Sequence, residues 1–220
     1  VGIWLDEALE LFPADYWRFV LVALRPETRD SNFTWEQFVE KVNGELNDVI
    51  GNFVHRTLTF IWRYFKGRVP EPGCLWERDE EALSALRRFF KEATEELEAF
   101  RLREALRAVV EVAREGNRYL NEREPWKAVK ERPELARTTL YVCAQLVKAL
   151  AILLAPFLPS SAQALWELLN LPGSVHEAGW DSALKPLEAG HAIKKPRPLF
   201  RKVPDDPEEL REALRELRKG

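Results

Sequence analysis

The chain contains no methionine, only two cysteines, and no long uninterrupted run of apolar residues. Cys74 and Cys143 lie far apart without a partner pattern, which excludes a disulfide framework or zinc knuckle and favours a reducing compartment, so we expect a cytoplasmic protein. No apolar stretch approaches the roughly 18 residues of a membrane span, and no basic, signal-like segment opens the chain, so we expect no membrane association. Because the chain begins at Val1 and lacks methionine, we expect an excised fragment.

Patterns that carry catalysis are absent as well. There is no glycine-rich phosphate loop after a strand, no nucleophile elbow, and no histidine pair at metal spacing. The three histidines, His55, His176 and His191, are scattered, and none has a cysteine or carboxylate set at ligand spacing. We therefore expect no catalytic residues and no metal site in this chain.

The composition is that of a soluble globular protein, since 46% of the 220 residues are apolar and 31% are charged. A net charge of −3 does not indicate a broad nucleic-acid footprint, but the basic residues are clustered. Residues 56–68 carry four basic residues and no acid, and residues 194–202 carry five and no acid. This distribution suits local phosphate contacts, although a solvated helix face is the commoner explanation for any one cluster.

The apolar periodicity predicts an all-α protein. Thr34 and Gln37 frame a capping box that predicts the start of a long helix, which runs to about Lys66 and is terminated by Gly67. Apolar residues at steps of three and four predict further helices over residues 79–96, 100–121, 134–155 and 159–170, with a single turn at 126–129. No stretch of strand length shows sustained alternation over residues 34–170.

These helices predict a bundle of about five helices over residues 34–170. Residues 1–33 form a lead-in with short helical segments and, at residues 30–32, side chains that are typical of a turn. Residues 171–220 are richer in proline and glycine and end in a charged helix over residues 206–219. We expect this last part to be a C-terminal extension that wraps the bundle.

One pair of polar residues on the long helix has the chemistry to read an unpaired base. Asn52 and Arg56 lie four residues apart and therefore on one face of the helix. An asparagine amide offers a donor and an acceptor, and a guanidinium offers a planar set of donors, which together match the edge of a cytosine or an adenine. Taken alone the pair is weak evidence, because most such pairs on a helix surface are bystanders.

Pro125 and Trp126 form a second element, at a break between two predicted helices. A tryptophan in this position can stack on a base while nearby cations bind phosphates. The candidate phosphate contacts are Arg63, Lys66, Arg118, Arg123, Lys127 and Lys130. A core role is the competing interpretation, since the chain has eight tryptophans. Four of them lie on apolar faces and are expected in the core: Trp4, Trp17, Trp35 and Trp62.

Several stretches resemble methionyl-tRNA synthetases. Residues 30–65, DSNFTWEQFVEKVNGELNDVIGNFVHRTLTFIWRYF, resemble the long helix of that family's anticodon-binding domain, whose N-x-x-x-R pattern is matched by Asn52 and Arg56. Residues 116–126, GNRYLNEREPW, and residues 154–159, LAPFLP, resemble further family signatures. Residues 2–8, GIWLDEA, resemble the segment that follows the catalytic loop of class I synthetases, and PLFRK at 198–202 is similar to the archaeal and eukaryotic-type branch.

The resemblance implies a C-terminal anticodon-binding domain without the class I catalytic domain that would precede residues 1–33. It implies that Trp126, next to Pro125, stacks on the cytosine that opens the CAU anticodon, while Asn52 and Arg56 contact the edge of that base. Asp48 stands where some members carry a second asparagine. A carboxylate can accept a hydrogen bond from a base amino group but repels phosphate, so the role of Asp48 stays open.

The partners implied are the anticodon stem-loop of tRNA(Met) and the catalytic domain of the same enzyme. The parent protein implied is a methionine–tRNA ligase, which uses ATP, with Mg²⁺, and methionine in its catalytic domain, and we expect no cofactor in this fragment. One alternative is the equivalent bundle of a cysteine, valine, isoleucine or leucine synthetase, which binding to swapped anticodons would distinguish. The other is a helical scaffold that binds a protein through residues 171–220, which a salt titration would distinguish.

Overall fold

In a computed structural model that describes residues 2–26 and 32–219, the chain folds into helices joined by loops. These residues contain no β-strand, and the single bridge between Arg68 and Ala192 is isolated. The prediction of an all-α bundle is confirmed. The turn expected at residues 30–32 falls mostly on Asp30 and Ser31, which lie outside the described residues.

The long predicted helix, α3, is continuous but not uniform. It comprises an α-helical turn (Trp35–Val39), a π-helical segment (Glu40–Gly51) and a second α-helical segment (Asn52–Tyr64). Two short helices precede α3: α1 (Leu5–Leu11) and α2 (Ala14–Ala23). The later helices are α4 (Glu77–Glu98), α5 (Leu102–Arg123), α6 (Pro125–Glu131), α7 (Pro133–Leu153), α8 (Pro159–Leu168) and α9 (Pro207–Leu217), with 3₁₀ turns at Val175–Glu177 and Trp180–Leu184.

The ends of α3 follow the expected capping chemistry only in part. The Thr34 hydroxyl accepts a hydrogen bond from the Gln37 backbone N–H at 3.2 Å, which is the first half of the predicted capping box. The second half is missing, because Gln37 Oε1 is buried without a hydrogen-bond partner. The helix ends at Tyr64, and the chain then turns through two left-handed residues, Lys66 and Gly67.

The helix α7 lies at the centre of the bundle, where α3, α4, α5 and α6 pack around it. Its length and apolar composition would allow it to cross a membrane, but 89% of its most apolar 18-residue window is buried inside the protein. A soluble core helix has the same properties, so we interpret α7 as the core of the bundle. The C-terminal part contributes to the same core, through buried side chains such as Phe200, Val203, Leu210 and Leu214.

The expectation for the tryptophans is correct for two of four. Trp17 and Trp35 are buried and pack edge to face with ring centroids 5.8 Å apart. Trp4 and Trp62 are 73% and 41% exposed, so their expected core positions are wrong. Trp4 precedes the first turn of α1, where only Ala8 is buried, and Trp62 is turned by about 100° from the buried Ile61 on α3.

Candidate nucleic-acid interface

The candidate site lies where α3 and α5 pack closely together. Gly116 on α5 faces the buried ring of Phe53 on α3, and a Cβ atom at Gly116 would overlap that ring. The missing side chain therefore allows the two helices to approach. As a result, the polar residues that flank Phe53 on α3 lie opposite polar residues of α5.

Four side chains from these helices form hydrogen bonds across the contact. Asn52 Nδ2 donates to Asn117 Oδ1 at 3.3 Å, and Arg56 Nη2 donates to Asn121 Oδ1 at 2.9 Å. Asn117 Nδ2 in turn donates to the Val49 carbonyl at 2.9 Å. We call Asn52, Arg56, Asn117 and Asn121 the α3–α5 polar cluster.

Trp126 reaches this cluster through a sharp change of chain direction after α5. Glu124 adopts a left-handed conformation with φ of 43°, and the buried Pro125 then opens α6. The indole of Trp126 is half-buried; its ring centroid lies 5.3 Å from Cζ of Arg56 and 5.7 Å from the ring centroid of Phe60. The indole and the guanidinium are therefore in contact, and Asn52 lies one helical turn away from Arg56.

The contacts of Arg56 hold its guanidinium in a defined direction. Burial lowers the pKa of Arg56, but an arginine in a protein stays protonated and can act only as a donor. Trp126, Phe60 and Tyr64 form a row of aromatic rings, since Phe60 contacts Trp126 and its ring is stacked on that of Tyr64 with centroids 5.9 Å apart. We call these three residues the aromatic row. The site thus combines a fixed cation, an aromatic surface and an exposed amide at Asn52.

Asp48 is paired with a residue of the C-terminal part. Its carboxylate forms an ion pair with Lys202 Nζ at 2.9 Å, and both side chains are 55% exposed. An ion pair with this exposure contributes at most about 1 kcal/mol to stability. Its main effect here is local, because the ammonium offsets the negative charge of Asp48 four residues before Asn52.

The candidate phosphate contacts do not share one environment. Arg118 forms an ion pair with Glu115, and Lys127 forms one with Glu124 at 2.7 Å, although both cations remain more than half exposed. The other three exposed cations are near the end of α3 or on α6: Arg63, Lys66 and Lys130.

Arg123 is assigned to the fold instead of the interface. Its guanidinium forms an ion pair with the fully buried carboxylate of Asp79, and its side chain is only 13% exposed. It also lies over the Trp76 and Tyr119 rings, 5.6 and 5.9 Å from their centroids. This cation already has a buried partner, so the phosphate contact predicted for Arg123 stays a prediction and is not part of the proposal for this site.

Asn117 and Asn121 are not among the site residues predicted from sequence, although both lie in the stretch at residues 116–126 that resembles a family signature. Their spacing of four residues on α5 matches that of Asn52 and Arg56 on α3, and this was the available signal. Among residues 2–26 and 32–219, no group of three or more His, Cys, Asp or Glu side chains could hold a metal ion.

Comparison with known proteins points to one family. The family model of the anticodon binding domain of methionyl tRNA ligase matches residues 69–216, and that of class I tRNA synthetases (M) matches residues 1–58. The methionine–tRNA ligase of Pyrobaculum calidifontis is 48% identical over 216 residues, which are 98% of this chain and 37% of that protein. The enzyme of Aeropyrum pernix is 48% identical over 207 residues, which are 94% of this chain and 36% of that protein.

The fold is similar to that of a solved enzyme. The apo structure of Mycobacterium tuberculosis methionyl-tRNA synthetase matches with a TM-score of 0.84 and 25% identity, over 90% of this chain and 40% of that one. Its complex with methionyl-adenylate matches with a TM-score of 0.82 and 25% identity, over 88% of this chain and 38% of that one. The present chain therefore spans about two fifths of the solved chains, and 37% and 36% of the two archaeal relatives.

Proposed function

Because the chain belongs to the methionyl-tRNA ligase family, we propose that it binds the CAU anticodon of methionine tRNA. The observation that carries this proposal is the contact between the Trp126 indole and the Arg56 guanidinium, 5.3 Å from ring centroid to Cζ. An unpaired base needs an aromatic face for stacking and hydrogen-bonding groups at its edge. Trp126 supplies the face, and Arg56 and Asn52 supply the edge contacts.

The cytosine that opens the anticodon stacks on the indole of Trp126. The indole is held by Phe60 and Arg56, so little conformational freedom is lost when the base binds. Stacking of one base on an aromatic side chain contributes about 1–3 kcal/mol. Pro125 supports this arrangement, because it is buried and opens α6 directly before the indole.

Cations around the aromatic row bind the phosphates of the anticodon loop. Arg63 and Lys66 follow Arg56 along the end of α3, and Lys127 and Lys130 follow Trp126 on α6. Binding by a few local cations is consistent with a net charge of −3, because phosphate contacts depend on the local distribution of charge.

We propose that the parent protein is a cytoplasmic methionine–tRNA ligase that joins methionine to its tRNA, with ATP and Mg²⁺ bound by a catalytic domain outside this chain. The Mycobacterium tuberculosis relative has been solved in complex with methionyl-adenylate. The role of the present chain is then to position the tRNA, by its anticodon stem-loop, for reaction at the catalytic domain.

The first prediction concerns Trp126. The Trp126→Ala variant should bind an RNA hairpin with a CAU loop between about five- and a hundred-fold more weakly, because the stacking surface is lost. Trp126→Phe should recover part of the affinity, since a smaller ring still stacks. Fluorescence anisotropy with a labelled hairpin measures both variants, and circular dichroism checks that the helices are intact.

Trp4→Ala serves as the matched control, because Trp4 is an exposed tryptophan on the segment before α1. It should bind the hairpin like the unmodified chain. Equal affinities of Trp126→Ala and the unmodified chain would contradict the proposed role of Trp126.

A salt titration distinguishes RNA binding from binding of a protein partner, because RNA binding should weaken steeply with ionic strength whereas an apolar protein interface should not.

A further inference from the structure

We propose that Asn117 is a specificity-determining residue, which orients the Asn52 amide so that the site accepts cytosine and rejects uracil. This inference rests on the proposed function, since it concerns the same site. It comes from the direction of each hydrogen bond in the α3–α5 polar cluster. A carboxamide has a donor end and an acceptor end, so a neighbour that accepts or donates only one way determines which end faces outward.

The first series of hydrogen bonds begins at the backbone carbonyl of Val49. The Val49 oxygen can only accept, so Asn117 must direct its Nδ2 to it, at 2.9 Å. Asn117 Oδ1 then faces Asn52, which must donate with its own Nδ2, at 3.3 Å. Asn52 is exposed, and the oxygen of its amide remains available as an acceptor for a ligand.

The second hydrogen bond begins at Arg56, whose side chain can only donate. Arg56 directs Nη2 at Asn121 Oδ1, at 2.9 Å, so the NH₂ group of Asn121 is turned away from the guanidinium and remains a donor. The other N–H groups of Arg56 are donors too. The cluster as a whole therefore presents an acceptor at Asn52 followed by donors at Arg56 and Asn121.

This order complements one pyrimidine and not the other. The pairing edge of cytosine presents an amino donor followed by two acceptors, whereas that of uracil presents an acceptor, a donor and an acceptor. Uracil would direct its O4 oxygen at the Asn52 oxygen and its N3–H at the Arg56 donors. A site built for one hydrogen-bonding pattern rejects an analogue that leaves its groups unpaired, so the orientation of Asn52 acts together with the Arg56 donors to exclude uracil.

The test compares two RNA hairpins that differ only in the first anticodon base, CAU and UAU, with the full chain. The measured quantity is the ratio of the two dissociation constants. The unmodified chain should prefer CAU by at least about ten-fold. In Asn117→Ala the amide of Asn52 is free to turn and can donate to the uracil O4 oxygen. The ratio should fall by about five-fold or more through tighter binding of UAU, while the Arg56 donors still oppose the uracil N3–H.

Asn117→Asp is the conservative variant, with nearly the volume of the native side chain. Its carboxylate can no longer donate to the Val49 carbonyl, but it still accepts from Asn52 Nδ2 and so keeps the Asn52 oxygen facing outward. The preference for CAU should be retained within about two-fold, while both hairpins bind more weakly because of the added negative charge. Asn47→Ala is the matched control, since it removes another asparagine of α3 that bonds only to a carbonyl of its own helix, at 3.4 Å. It should leave the ratio unchanged.

The outcomes separate this inference from the function on which it rests. An unmodified chain that binds both hairpins equally, or neither, would overturn the proposed CAU recognition and this inference with it. A chain that prefers CAU, and keeps that preference in Asn117→Ala, would leave the function standing and overturn the role of Asn117. If Asn117→Ala does not fold, loss of the preference in Asn117→Asp would have the same consequence, because that variant keeps the acceptor.

Discussion

Asp79 shows how one buried residue can hold a recognition element in place from another helix. Its carboxylate accepts hydrogen bonds from the Trp76 backbone N–H at 2.9 Å and the Tyr119 hydroxyl at 2.7 Å, and it forms the ion pair with Arg123. Burial raises the pKa of Tyr119, so its hydroxyl stays a donor. Arg123 is the last residue of α5 and precedes the turn at Glu124, so this network fixes the origin of the segment that carries Trp126.

We therefore predict that Asp79→Ala lowers the free energy of unfolding by about 3–5 kcal/mol, because it leaves the Arg123 charge without its buried partner. Urea denaturation followed by circular dichroism measures this loss. Glu95→Ala on the same helix is the control, since its ion pair with Lys91 is exposed at both ends and should contribute less than about 1 kcal/mol. Similar losses in the two variants would argue against a special role for Asp79.

At the level of elements, the contact between α3 and α5 decides which polar side chains meet. Gly116 faces Phe53, whose ring is fully buried and cannot move aside easily. Gly44 and Gly51 also lie inside α3, where glycine is unfavourable. A Cβ at Gly51 would lie 3.3 Å from the Phe200 ring, but one at Gly44 would have no neighbour within 4 Å. Gly51 and Gly116 are thus explained by packing, while nothing in the structure explains Gly44.

The matched pair of Gly116→Ala and Gly44→Ala tests this interpretation. Gly116→Ala should destabilise the protein by about 1–3 kcal/mol, because the added methyl group overpacks the contact with Phe53. Gly44→Ala should stabilise it by up to about 1 kcal/mol, because alanine favours a helix interior and nothing obstructs its methyl group. Thermal unfolding of both variants measures the two signs, and a stable Gly116→Ala variant would contradict the close approach of the helices.

For the whole molecule, we propose that the expected C-terminal extension folds as one unit with the bundle that it wraps. Tyr16 on α2 donates to the Arg201 carbonyl at 2.9 Å and accepts from its backbone N–H at 2.6 Å. Asn43 on α3 binds the backbone of Val203 in the same two-sided way, at 2.9 Å for each bond. Phe200 directly precedes these backbone contacts and packs edge to face with Tyr16, with ring centroids 6.2 Å apart.

Phe200→Ala should consequently destabilise the entire chain by about 3–5 kcal/mol, through a cavity between the extension, α2 and α3. We expect one cooperative transition at a lower denaturant concentration, because the extension and the bundle share a core. Phe100→Ala is the control, since Phe100 is 81% exposed and its removal should change stability by less than about 0.5 kcal/mol. Two separate transitions in Phe200→Ala would show that the extension unfolds independently.

The periodicity of apolar residues was sufficient to predict the all-α class and the positions of the main helices. Each of the helices predicted over residues 79–96, 100–121, 134–155 and 159–170 is present, with ends displaced by at most two residues. The displaced ends have local causes, such as the Trp76 N–H bond to Asp79 that starts α4 earlier. The predicted single turn after α5 is a longer helix, α6, because Pro125 serves as its first residue. The π-helical segment of α3 has no sequence signal that we recognise.

Spacing along one helix predicted that Asn52 and Arg56 share a face, whereas the resemblance to methionyl-tRNA synthetases is what joined this pair with Trp126 in one predicted site. Spacing along one helix could not predict contacts between residues that are distant in the sequence. Asn52 meets Asn117 across 65 positions, and Asp48 meets Lys202 across 154. Arg123 likewise appears in sequence as one more surface cation until folding brings Asp79 against it. The periodicity of a chain reports which side of each helix is apolar, whereas the direction of an amide or the partner of a charge depends on how the helices pack.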